Sequence, residues 1–386
     1  MKPNHVVIVI PGFPVDHDEP GLPAIVDLIQ RISAVHDVEI VALRHPTNRG
    51  AYELAGARVH PLGLGNKGGP RARGRVLARG IRAVATLHRR RPVDLVHGMW
   101  ADEAGAVATL AARWISRPSI VSVMGGEFVA MSEIGYGAAL GRGGRSTARV
   151  SLRAADLITV PSSLIDDMVR PLVRNPEERL AFLPLGVDTE KFRPAEHPGS
   201  TPTIVFAGSL APVKDPETAL RAFAAVAASH ESVRLVVAGF GGMRGNLEAQ
   251  ARQLGIEDRV RFLGQVPRKR MAELFQSASL LCVTSLHESQ SMVAVEAAAC
   301  GLPVVGTPVG VLPDLGEGAR LVPRGDVDAL AAALTEVLTN RELAERMSAA
   351  GRAVVAERYA IERTSAALLE RYSELISRRP DPPPES

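Results

Sequence analysis

Cysteine is nearly absent from this 386-residue chain: only Cys282 and Cys300 occur, each inside an apolar run. Two such thiols exclude a disulfide scaffold and read as buried, inert side chains in a reducing compartment. Aromatic residues make up 4% of the chain, too few for the rows of stacking side chains that hold single-stranded nucleic acid. No run of 18 apolar residues occurs, which leaves no membrane-spanning helix to expect. The apolar VVIVI after His5 is too short for the core of a secretion signal, so the expected location is the cytoplasm. Lysine is scarce as well. Five lysines stand against forty arginines, a skew that points to codon usage more than to function. Neither sign of charge dominates, with 45 basic and 42 acidic residues and a net charge of +3. What is present is ordinary for a globular protein: 46% hydrophobic and 23% charged residues, over a length that suits two domains with a core each.

Short β-branched apolar runs alternate with helical stretches. In the first half the runs are residues 5–13, 37–44, 57–64, 94–99, 119–126 and 156–162. A second series begins at TIVFAGSL (203–210) and continues through VRLVVAGFG, VRFLGQV, LLCVTS, PVVGTPVG and ARLVP (319–323). Runs this apolar are buried on both faces, and with helices between them they predict parallel sheets. The expected fold class is therefore α/β, with two Rossmann-like doubly wound domains facing across a cleft. The polar, proline-containing stretch 193–202 is the expected linker, between a first domain over 1–192 and a second over 203–358. Three helical stretches follow the last run, and the tail 379–386, with its proline run, is expected to be disordered.

Three segments carry chemistry. In HESQSMVAVEAAACGLPVVGTPVG (287–310), Glu288 precedes a helix expected to start near Ser291, and Glu296 lies within it. Glu296 is almost the only polar group in its stretch, and burying a carboxylate without purpose is costly. The helix start supplies free amides and a positive dipole end suited to phosphate. In VFAGSLAPVKDPETALRAF (205–223), Lys214 follows a strand and a glycine turn and precedes a helix near Pro216. That is a place for a cation beside phosphates, although an exposed loop lysine would look the same. In VVAGFGGMRGNLEAQARQLG (236–255), Gly239, Gly241 and Gly245 imitate a dinucleotide fingerprint, but with the wrong spacing and no ribose-binding acid after the next strand.

Taken in order, these segments and LVPRGDVDALAAAL resemble the family-4 retaining glycosyltransferases of the GT-B fold, which transfer sugars from nucleotide diphosphate sugars. The second half matches nearly throughout, and the first half matches in layout through DLVHGMW and SIVSVMGGEF. The resemblance implies that Glu296 binds the donor ribose and Glu288 faces the transferred sugar. It gives the amides of Ser291, Met292 and Val293 to the diphosphate and sugar, and Lys214 to the leaving diphosphate. Gly239 and Val266 would line the nucleotide pocket, with Gly208, Ser209 and Gly21 beside them. It also implies a terminal helix, 359–378, crossing back to the N-terminal domain, and a reaction without cofactor or divalent metal, the nucleotide sugar being a co-substrate.

The chain departs from the family pattern at several points. Ser209 stands where an arginine is usual, Met124 where a histidine is common, and Gly21-Leu22 where a diglycine is. Gln290 and Ser291 replace an aromatic residue and a glycine. On the acceptor side, His97 reads either as a catalytic contact at a strand end or as a hydrogen-bonded structural histidine. Glu127 and Gly126 in GGEF, and Arg142 and Arg145 in the glycine-rich 141–153, which is expected to be mobile, are acceptor-side candidates. Asp102 and Glu103 read as helix caps.

Residues 71–91 hold eight arginines and no acid. Up to Lys191 the chain has 24 basic and 19 acidic residues, and after it 21 and 23, so the positive charge belongs to the first half. Such a helix suits the anionic inner surface of a membrane, or is a solvated face; nucleic acid is not an expected partner, since no recognition motif accompanies the charge. The expected activity is transfer of a hexose-type sugar to a hydroxyl acceptor: a sugar, a glycolipid or a small molecule. A nucleotide-sugar epimerase and a catalytically silent sugar-nucleotide binding protein remain as other readings.

Overall fold

The computed structural model describes residues 3–16, 23–47, 49–65, 69–196, 199 and 201–378. The chain divides into two compact units. The first takes the residues up to Pro161, then Ile165–Pro184 and the chain from Thr364 onward; the second takes Ser162–Leu164 and Leu185–Arg363.

The first unit is built on eight strands: β1 (His5–Gly12), β2 (Asp37–His45), β3 (Tyr52–Leu54), β4 (Ala57–Pro61), β5 (Leu95–Met99), β6 (Ser119–Ser122), β7 (Leu157–Val160) and β8 (Leu180–Phe182). Their order across the sheet is β3-β4-β2-β1-β5-β6-β7-β8, and every pairing is parallel except that of β3 with β4. Val6 to Ile10 are wholly buried, as a central strand covered on both faces requires. The short edge strands β3 and β8 carry too little apolar sequence to be anticipated.

The second unit has six strands: β9 (Thr203–Ala207), β10 (Arg234–Ala238), β11 (Val260–Gly264), β12 (Leu280–Val283), β13 (Val304–Gly306) and β14 (Ala319–Leu321). All are parallel, in the order β11-β10-β9-β12-β13-β14. This is the Rossmann order, which reverses direction between β9 and β12. Phe206, Leu220, Phe223, Leu235 and Leu334 join strands and helices in one buried cluster.

The division between units corrects the expected boundary. It falls between Pro184 and Leu185, not in the polar stretch 193–202. The reason is tertiary. The Gln290 side chain clasps the Leu185 backbone, accepting from its N–H at 2.9 Å and donating to its carbonyl at 2.7 Å. Val187 exchanges backbone hydrogen bonds with Tyr359 and Ile361, and Phe192 lies 6.4 Å from the Phe275 ring. Residues 141–153 also differ from expectation. Arg142–Ala154 is a helix whose Thr147, Ala148, Ser151 and Leu152 are buried, so this segment is a packed element. The expected disordered tail lies outside the described residues.

Candidate functional site

The chemistry-bearing residues of the second unit gather at the carboxyl ends of its strands, where open α/β sheets take their ligands. Three glycines make the close approach possible. Gly208 follows β9, and its N–H donates to the Ala238 carbonyl at 3.0 Å; the Gly239 N–H donates to the Gly264 carbonyl at 2.8 Å. A methyl group on Gly239 would sit 1.7 Å from the Gly208 carbonyl oxygen, so no other residue fits there. A methyl group on Gly241 would likewise sit 2.3 Å from the Leu210 carbonyl oxygen.

After Gly208 the chain makes a single 3-10 turn, Pro212–Lys214. Asp215, at φ +45°, then caps the helix Pro216–Ser229 through the Thr218 N–H. This turn is tied to the end of β12. The Leu286 N–H donates to the Val213 carbonyl at 2.8 Å, and the Thr284 hydroxyl donates to the Lys214 and Asp215 carbonyls at 2.9 and 2.8 Å. Lys214 is thereby brought onto Glu288, its ammonium bonded to Oε1 of that carboxylate. Ser285 donates to the same oxygen at 2.9 Å. Both side chains are mostly buried, so the pair is held in a setting of low dielectric.

Ser291 stands at the N-cap of the helix Met292–Ala299 with φ +67°. That left-handed backbone explains why a glycine is usual at this position, and the serine hydroxyl is buried without a hydrogen-bond partner. The first helix amide to find a carbonyl is that of Ala294, which donates to Ser291 at 3.0 Å. The amides of Met292 and Val293 precede it and are the donors that a helix start leaves for a ligand. One turn on, Glu296 is buried. The guanidinium of Arg268 lies 3.8 Å from its Oε1 and 5.5 Å over the Phe192 ring. Val266 is half-buried just ahead of Arg268, and Ser209 is exposed beside Gly208. Gly310, at φ +52°, packs on Gln290 and Glu288, whose loop it has to clear.

The first-unit candidates part company. His97 lies within β5, opposite Ile8 and Ile120, and is fully buried. One ring nitrogen is 2.7 Å from the Tyr372 hydroxyl and the other 2.8 Å from the Ser122 hydroxyl, which in turn meets Thr159 at 2.7 Å. Burial lowers its pKa to about 3. The catalytic reading of His97 is therefore corrected: it is a neutral structural histidine, satisfied on both sides. Glu127 is also buried, and its carboxylate accepts from the amides of Ala101 at 3.0 Å, Met124 at 3.1 Å and Gly125 at 2.6 Å. It joins the loop after β5 to the loop after β6 and is a buried acid held by backbone amides, not a solvated one. Burial raises its pKa against the pull of those amides.

Asp102 caps the helix Glu103–Trp114 through the Ala104 N–H, and burial raises its pKa to about 7. Glu103 does more than cap, since Arg44 reaches it at 2.6 Å and Arg73 at 3.4 Å. Gly126 lies under the Tyr136 ring. Arg145 is turned onto the Ala139 carbonyl at 2.5 Å and Arg142 is exposed, each in the first turn of its helix. Gly21 lies outside the described residues. Arg268 and Ser285 are not singled out by the sequence, and Gln290 stands out there only as a departure from the family pattern. Arg268 leaves a trace, because three basic residues open the helix Arg268–Ser277, the end that disfavours them.

Two parallel-sheet Rossmann units, one with a lysine–glutamate pair, a second buried glutamate and an open helix start at its strand ends, define a GT-B glycosyltransferase. The chain belongs to that class: residues 187–354 match the model of the group 1 glycosyl transferases, and residues 24–186 the glycosyl transferase 4-like domain. It is similar to the MMP alpha-(1->4)-mannosyltransferase of Mycolicibacterium hassiacum, 31% identical over 78% of this chain and 67% of that protein. It is 33% identical to the D-inositol 3-phosphate glycosyltransferase of Saccharomonospora viridis, over 58% of this chain but only 56% of that one. Among solved structures, sucrose-phosphate synthase from Thermosynechococcus elongatus aligns over 97% of this chain and 100% of its own, with a TM-score of 0.80 at 21% identity. Anabaena HepE in complex with UDP and glucose aligns over 96% and 100%, with a TM-score of 0.75 at 18% identity.

Proposed function

We propose that the protein transfers a hexose-type sugar from a nucleotide diphosphate sugar to a hydroxyl acceptor, with retention of anomeric configuration. The observation that carries this reading is the meeting of Lys214 with Glu288 beside the open start of the helix Met292–Ala299. The diphosphate takes the amides of Met292 and Val293 and the Lys214 ammonium. Glu288, released from the lysine, accepts from a sugar hydroxyl. Glu296 holds the ribose, oriented by Arg268. Negative charge grows on the diphosphate as the glycosidic bond breaks, and a cation already in place stabilises that charge without reorganisation. Lys214 and the helix start supply the role a divalent ion would otherwise fill, so the reaction needs no metal and no cofactor. The phosphate leaves on the face that the acceptor attacks and takes its proton. Acceptor binding belongs to the first unit, and the chain works in the cytoplasm, against an anionic membrane surface when the acceptor is lipid-linked.

The test is calorimetric titration of a panel of nucleoside diphosphates into the wild type and Glu296→Ala. The expected result is one binding base in the panel and a loss of about tenfold or more in affinity for the variant, with an unchanged melting temperature. Equal affinity in both proteins would remove Glu296 from the ribose, and no binding by the wild type would remove the donor reading altogether.

A further inference from the structure

We propose that Trp100, seated at the carboxyl ends of β5 and β6, is a stacking platform for a six-membered polyol ring of the acceptor, a pyranose or a cyclitol. The proposal rests on the glycosyltransferase reading for its occupant, but its geometry is independent of the donor site.

Tryptophan occurs twice in the chain and tyrosine four times. One of each meets at the diglycine that follows β6. A methyl group on Gly125 would fall 3.0 Å from Nε1 and 3.3 Å from the next carbon of the Trp100 ring, so the edge of the indole lies directly on that backbone. A methyl group on Gly126 would fall 3.0 Å from the Tyr136 hydroxyl and 3.0 Å from its ring. Two glycines thus clear space for two rings at adjacent positions.

Trp100 is also held in an unfavourable conformation. Its φ is +75°, a region that bulky side chains avoid, and such outliers persist where the surroundings over-determine them. The surroundings here do so. The Trp100 N–H donates to the Ser122 carbonyl at 2.9 Å, and the Trp100 carbonyl lies against Gly105, where a methyl group would approach it to 2.7 Å. Glu127 then locks the loops together by accepting from Ala101 on one side and from Met124 and Gly125 on the other. The outcome is a half-buried indole. A large apolar ring that is neither sunk in the core nor released to solvent fits a ligand with an apolar face and polar edges. A six-membered polyol ring is such a ligand: its axial C–H groups form the face, and its hydroxyls stay at the edge.

The test uses intrinsic fluorescence. Trp114 is 79% exposed, so Trp114→Phe leaves Trp100 as the sole tryptophan at little structural cost. The probes are methyl pyranosides of glucose, mannose and galactose for one source, myo-inositol for the other, and linear sorbitol as the control. The expected result is a saturable change in emission with at least one ring probe and none with sorbitol. Gly125→Ala in the same background should raise the dissociation constant of that probe about tenfold, and Tyr136→Leu should weaken it as well. The proposal is overturned if no ring probe gives a saturable response, if sorbitol responds equally, or if only nucleoside diphosphates quench Trp100. It also falls if both variants bind the ring probe as the parent does. Calorimetry with nucleoside diphosphates on the same protein separates the two readings. Nucleotide binding without a ring response removes this site alone, and a ring response without nucleotide binding removes the donor reading alone.

Discussion

Gly239 has no room for a single methyl group, because the Gly208 carbonyl occupies the place where it would go. Gly239→Ala has to push apart β9 and β10 at the point where both deliver residues to the proposed donor site. We expect a loss of about 3 kcal/mol or more, measured by denaturant unfolding, together with loss of nucleotide binding. A stable variant that still binds nucleotide would contradict that packing. Asp102 makes a prediction about pH. Burial, with smaller contributions from nearby Glu127 and Glu103, lifts its pKa to about 7 from an ordinary value near 3.8, against the pull of the Ala104 N–H. Between those values the native state holds a proton that the unfolded chain has released. Stability therefore falls as pH rises through that window, by at most about 1.4 kcal/mol per pH unit. Asp102→Asn keeps the cap and removes the titration. Its stability relative to wild type should improve from pH 5 to pH 8, and a constant difference in unfolding midpoint would show that Asp102 is not buried as described.

Elements behave less uniformly than their sequences imply. The helix Pro70–Arg90 turns Val76, Gly80, Val84 and Leu87 into the core. Arg71, Arg75, Arg79, Arg82 and Arg90 are exposed, and no ion pair reaches them among the described residues. Two other arginines of the segment are engaged, Arg73 with Glu103 and Arg91 with Asp37. A row of unpaired cations at positions 71, 75, 79 and 82 runs along one face at helical spacing. Liposomes containing anionic lipid should therefore retain the protein at low salt and release it at high salt. Equal retention by neutral liposomes would rule out an electrostatic cause. The helix Arg142–Ala154 gives the opposite lesson: its glycines and arginines look loose, yet its inner face packs, with Ser151 donating to the Asp102 carbonyl at 3.2 Å.

For the whole molecule, two units of Rossmann topology each have a core of their own, and no described helix is long and apolar enough to cross a membrane. A ligand that binds only the native protein raises its stability by mass action, about 2.7 kcal/mol at a hundred times its dissociation constant. A thermal-shift screen of nucleotide sugars should single out one base by a raised melting temperature. A flat response across the panel at saturating concentrations would contradict the donor site. The same screen names the base.

The succession of strands and helices along the chain was legible, because apolar runs and helix starts depend on neighbours in sequence. Apolar runs mark central strands, and Asp215 and Ser291 sit where a helix start demands a cap or a left-handed turn. Lys214, Glu288 and Glu296 could be singled out by their settings and by family pattern, but their contacts could not. That Lys214 bonds to Glu288, that Arg268 lies against Glu296 and that Gln290 clasps Leu185 are facts about residues brought together by folding over 74, 28 and 105 positions of chain. The same holds for His97, whose two readings were separated only by Tyr372, supplied from 275 residues away to close off its second nitrogen. Sequence settled which side chains can do chemistry here. Tertiary structure decided which of them gather at the strand ends and which are sealed inside, because burial and hydrogen-bond partners are properties of the packed chain and not of the residue.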